Sequence, residues 1–237
     1  MDSAVPYLIQ NYSPKGNKVG WLMMASILVE AWDLYSIAFV LIFIRDQFNP
    51  DPFVLGLAAA GTQGGALIGA LLGGWLSDKI GGARVTLWNF VVMGLATLGV
   101  IHYVDARSFA GFLVMFLILF VTTGVGNGST FRMIPAIFRS EKLRAVDGIG
   151  SAAEAQALKA ARIESAAVLG FTSAIGACGG YLIPRTFGAS IKATGGPHLA
   201  LALFLAFYVT CLALTWWYYM RRSFLAQRLP SLAEAGV

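Results

Sequence analysis

The stretch Gly124–Pro135, G-V-G-N-G-S-T-F-R-M-I-P, gathers three glycines, an amide, two hydroxyls, an aromatic ring and Arg132 at the end of the apolar run Phe109–Thr123. Unpaired polar groups facing hydrocarbon cost several kcal/mol each, so such a stretch must face protein or a water-filled cavity. Its residue types suit passage of a small polar solute. Glycines let a substrate or another backbone come close, and an amide supplies hydrogen bonds. A second chemically loaded place is Glu30 with Asp33, three residues apart and so on neighbouring positions of one helix face. Carboxylates inside an apolar helix read by default as proton or cation sites, with a satisfied polar cluster as the bland alternative; Asp33 lies deeper in the apolar run than Glu30.

These residues lie in an unusually apolar chain. Of its 237 residues 57% are hydrophobic and 12% charged, and the mean hydropathy is +0.71. A soluble domain carries about twice that charge. The charges cluster, leaving six windows near the roughly 20 residues that a spanning helix needs: Val19–Ile44, Phe53–Leu76, Val85–Tyr103, Phe109–Ile137, Ala166–Pro184 and Leu199–Met220. The expected fold is an all-α polytopic membrane protein of six transmembrane helices. Residues 1–18 read as a cytoplasmic leader, 138–165 as a cytoplasmic loop with a surface helix over Ser151–Glu164, and 221–237 as a cytoplasmic tail.

With the N-terminus inside, twelve of the seventeen basic residues are cytoplasmic, four are outside and Arg132 is left within a span. That bias puts both termini in the cytoplasm and accounts for the net charge of +5 without a nucleic-acid partner. Cys178 and Cys211 fall inside spans and imply no disulfide framework. The sequence offers no metal-ligand cluster, nucleophile–base pair or phosphate-cradling loop, so neither an enzyme nor a cofactor is expected.

Span two carries Gly61, Gly65, Gly69 and Gly73 at a four-residue step, a strip along which another helix can pack closely. The following turn reads Gly74-Trp-Leu-Ser-Asp78-Lys79-Ile-Gly81-Gly82-Ala-Arg84. Asp78 there can hold an arginine or the positive end of a facing helix, as a gate would, with Lys79 and Arg84 beside it. Span five contains Gly170-Phe-Thr-Ser-Ala-Ile-Gly176-Ala-Cys-Gly179-Gly180-Tyr-Leu-Ile-Pro184-Arg-Thr-Phe-Gly188, with Pro184 expected to end or kink the helix.

The turn resembles the loop motif of the major facilitator superfamily, with its usual basic pair reduced to Arg84. The stretches around Gly124–Pro135 and Gly170–Gly188, with the closing W-W-Y-Y-M-R-R, resemble the nitrate/nitrite porter family of that superfamily, the NarK type, over about Gly81–Arg222. The first eighty residues look more like a proton-coupled metabolite symporter of the same superfamily. The resemblance implies half of the superfamily fold in the inner membrane. It implies transport of nitrate or nitrite by alternating access, through a cavity shared with a second six-helix half, either another copy or a separate chain. Asn127, Phe131, Gly124, Gly126, Gly128, Gly176, Gly179 and Gly180 match the family's substrate-path motifs. The family also holds its anion between two arginines, one of them a few residues before the loop motif. Here that segment, Ala66–Leu72, has none. A porter for another small anion or organic acid coupled to protons, and a transport-inactive truncated or hybrid protein, are the alternatives.

Overall fold

The computed structural model describes Phe48, residues 51–146 and residues 152–217. Asp33 and Glu30, the leader, the first expected span and the tail lie outside these residues. Six helices follow one another: α1 (Pro52–Ile80), α2 (Gly82–Asp105), α3 (Phe109–Arg144), α4 (Ala152–Ala177), α5 (Gly179–Thr194) and α6 (His198–Thr215). Among the described residues there is no strand, and α2, α3 and α6 are long and apolar enough to cross a membrane.

The helix boundaries follow from local chemistry. Asp51 caps α1 by accepting the Phe53 N–H at 2.7 Å, and Pro52 stands where the helix has no use for an N–H. A single residue, Gly81, separates α1 from α2. Its φ of 91° lies in the left-handed region that side chains avoid, so the reversal is available to glycine alone at low cost. Ser108 caps α3, which then runs for 36 residues, about 54 Å, well beyond the roughly 30 Å of a bilayer core. At the other turn, Ser190 donates to the Gly196 carbonyl and accepts the Ala200 N–H, tying the end of α5 to the start of α6.

The stretch expected as a surface helix and the first part of the fifth span form one helix, α4. It pauses at Cys178, and α5 continues through Pro184 to Thr194. Pro184 has no N–H to give the Gly180 carbonyl four residues earlier, and Gly179-Gly180 resists bending weakly. The break therefore falls N-terminal to the proline instead of at it.

The hydrophobic core lies among α2, α3, α5 and α6. Phe112, Phe116 and Phe120 ascend one face of α3, with ring centroids 4.5 and 5.8 Å apart, and Phe187 meets Phe204 edge-on at 5.1 Å. Large apolar side chains also point outward, among them Leu71, Trp88, Leu95, Leu203 and Val209. Water would penalise so broad an apolar surface, whereas lipid tails do not.

α1 docks on α3 through backbone. A methyl group at Gly65 would lie 2.8 Å from Phe120 Cβ; at Gly69 and Gly73 it would strike the Val121 and Val125 carbonyls. Reciprocally, a methyl at Gly124 or Gly128 would strike the Ala66 or Ala70 carbonyl. The strip in span two is thus the surface on which α3 rests. Gly69→Val and Gly73→Val should each cost about 1–3 kcal/mol, read as earlier thermal unfolding in detergent. Gly64→Ala, where a methyl meets nothing within 4 Å, should not lower the midpoint. Equal melting of all three variants would refute the packing role.

Candidate functional site

Between side chains of α1 and α3, near the α1–α2 junction, lies an open groove of about 440 Å³. Ala70, Leu71, Gly74, Trp75 and Asp78 line it from α1, and Gly128, Phe131 and Arg132 from α3. The first set recurs at intervals of three and four, which keeps it on one helix face, and so does the second. The close backbone approach of Gly128 to Ala70 and Gly74 forms the groove's floor, and the larger side chains rim it.

Across the groove, Arg132 Nη2 donates to Asp78 Oδ2 at 2.7 Å. The aspartate of the loop motif therefore does hold an arginine, and that arginine belongs to the Gly124–Pro135 stretch. The side chains are 60% and 54% exposed, so the pair is worth no more than about 1 kcal/mol and can open readily. Lys79 turns away and lies over the Trp75 ring, its Nζ 3.9 Å from the centroid. Arg84 is exposed on the first turn of α2. Of the three gate candidates, Asp78 alone lines the groove.

The substrate-path candidates separate into groups. Gly128 and Phe131 line the groove. Gly124 abuts α1, and Gly126 is buried with its carbonyl accepting from both Ser129 and Thr130, at 2.9 and 2.8 Å. Ser129 also meets Thr86 of α2 at 3.0 Å, so the hydroxyls of this stretch serve the bundle interior. Asn127 is half-buried, and its Oδ1 is buried without a hydrogen-bond partner among the described residues. An amide oxygen so placed lacks a donor; among the described residues the buried Ser77 hydroxyl on α1 is likewise without a partner. Gly176, Gly179 and Gly180 flank the Cys178 break. Pro135 gives no N–H to the Phe131 carbonyl, which loosens α3 beside the groove.

Sequence reasoning left Arg132 as a basic residue stranded in a span and passed over Trp75 and Leu71. The signal was present in the helical spacing of Leu71, Gly74, Trp75 and Asp78, but it says nothing of which helix that face meets.

Two further polar contacts tie helices together: Lys142 pairs with Glu164 between α3 and α4 at 2.6 Å, and His198 Nε2 lies 2.7 Å from Asp105 Oδ1 between α6 and α2.

No family model matches the chain. It is 47% identical over 181 residues to the nitrate/nitrite transporter NarU of Salmonella typhimurium, covering 75% of this chain and 38% of that protein. It is 45% identical over 183 residues to NarU of Escherichia coli, covering 76% and 39%. NarK2 of Thermus thermophilus is 28% identical over 213 residues, covering 87% and 43%. The chain thus spans about two fifths of the length of these curated relatives. A match of 181 residues is longer than the chain from Gly81 to Val237, so the likeness reaches back into the first eighty residues. Transporter relatives and long apolar helices together make this a multi-pass membrane protein.

In a double-mutant cycle, Asp78→Asn and Arg132→Gln should show a coupling of about 0.2–1 kcal/mol in thermal stability at low salt. It should shrink toward zero in molar salt. A coupling that salt leaves unchanged would place the pair in a drier setting than this open groove.

Proposed function

We propose that the chain belongs to the nitrate/nitrite porter family and forms part of a secondary transporter moving nitrate or nitrite across the inner membrane by alternating access. In this reading the chain supplies a six-span half of the major facilitator fold. A second six-helix half, from another copy or a separate chain, faces it across the substrate path. Both termini are cytoplasmic, which places the α1–α2 junction and its groove on the cytoplasmic side.

One observation supports the reading most: the ion pair between Asp78 of the loop motif and Arg132 of the Gly124–Pro135 stretch, with Gly128 and Phe131 beside it. A contact this exposed forms and breaks at little cost, as a gate between two states requires. Asn127, Gly128 and Phe131 are the proposed substrate contacts on α3. Gly124 and Gly126 form the close-packed wall behind them, and Gly176, Gly179 and Gly180 form the opposing wall. Asp33, with Glu30 as the lesser candidate, is the proposed proton site.

Isotopic nitrate uptake into proteoliposomes holding the full chain tests this. Asn127→Ala should lower uptake about tenfold, the loss of one hydrogen bond to a charged ligand. Asp33→Asn should abolish the stimulation of uptake by an inward proton gradient, while Glu30→Gln lowers it less. Uptake indifferent to Asn127→Ala would sink the assigned path. The absence of an arginine from Ala66–Leu72 favours a second reading, a transport-inactive membrane protein, because a mid-membrane anion then lacks its usual fixed cation. A stable protein that neither binds nor moves nitrate would decide for it.

A further inference from the structure

We propose that Arg132 is a binding group for a small planar oxyanion at the mouth of the path, and that Asp78 is its built-in competitor. The inference rests on the porter reading for the identity of that anion, nitrate or nitrite. Its geometry stands apart from that reading.

Arg132 lies 23 residues into α3 from Phe109, about 35 Å along the helix axis. That is one bilayer thickness from the opposite end, so its guanidinium sits at the membrane edge, where a charge is affordable. It contacts Asp78 through a single 2.7 Å hydrogen bond from Nη2 to Oδ2, and most of the side chain remains exposed. A guanidinium has five N–H donors in a planar fork, so this one pair leaves donors directed elsewhere.

What Arg132 holds is informative. A carboxylate is a planar group that spreads one negative charge over two oxygens, and nitrate and nitrite present the same kind of edge. The Asp78 side chain therefore stands where such an anion would bind and displays similar chemistry. An arriving anion competes with it for the charge of one guanidinium. The lining then selects: Leu71, Trp75 and Phe131 are apolar, so a divalent anion finds no second cation beside the one guanidinium. Gly74 keeps the approach open, because a methyl group there would lie 3.8 Å from Arg132 Nε, and any longer side chain would fill the groove.

The competition has a structural consequence. Asp78 stands two residues before the helix end, and one left-handed residue, Gly81, joins α1 to α2. An anion on Arg132 repels the Asp78 carboxylate, so occupancy of the mouth weakens the contact between Asp78 and Arg132. Substrate arrival and loosening of that contact are thereby coupled.

Calorimetric titration of sodium nitrate into the full chain, held in phosphatidylcholine nanodiscs at constant ionic strength, tests this. Asp78→Asn should tighten nitrate binding about two- to fivefold, the worth of an exposed ion pair. Arg132→Gln should weaken it about tenfold. Arg132→Lys, which keeps the charge but loses the fork, should recover only part of that. Gly74→Leu should block binding while the protein melts normally. Nitrate affinity unchanged by Asp78→Asn and Arg132→Gln would overturn the proposal and leave the porter reading to the flux measurement. So would an absence of nitrate binding in every variant while flux persists. Phosphate or sulfate competing as well as nitrate would overturn it too, by making the groove a general phosphate site such as a lipid headgroup would fill.

Discussion

The contact of α1 with α3 is backbone against backbone, and the rest of the arrangement depends on it. Gly65, Gly69 and Gly73 on one helix and Gly124 and Gly128 on the other leave no room for a methyl group between them. In lipid there is no hydrophobic drive to press two helices together, so close approach, with its dispersion and carbonyl contacts, must supply the attraction. That approach sets the register of the two helices. It thereby sets where the groove opens and which side chains rim it.

The electrostatics follow from this packing. Asp78 and Arg132 are 54 residues apart in sequence and meet at 2.7 Å because the glycine contact brings their helices into register one turn below. The pair is exposed and weak, and that weakness suits a gate better than a brace. The stronger scaffolding lies elsewhere. The aromatic ladder of α3 and the apolar core among α2, α3, α5 and α6 hold the bundle, so the groove can change without unfolding it.

Much of the local structure was legible. The four-residue glycine step marked a packing surface on α1, and Asp78 was read as a residue that would hold an arginine or a helix end. The division of labour inside Gly124–Pro135 was not legible. Gly124 and Gly128 abut α1, Gly126 and Ser129 serve the interior, and Phe131 and Arg132 face the groove. The α4–α5 boundary was also hidden. An alanine-rich helix runs into an apolar one without a change of period, and a proline's missing N–H is felt four residues before the proline itself.

Composition and clustered charge determined a helical membrane protein, because twenty apolar residues have few other stable fates. The glycine motifs carried its resemblance to the porter family. Only the tertiary structure decided that Arg132 is Asp78's partner and that Leu71, Trp75 and Phe131 wall the space around it. Helical periodicity says which residues share a face, but that face acquires a neighbour only when two helices cross. Here the crossing is set by where glycines on both helices allow their backbones to touch.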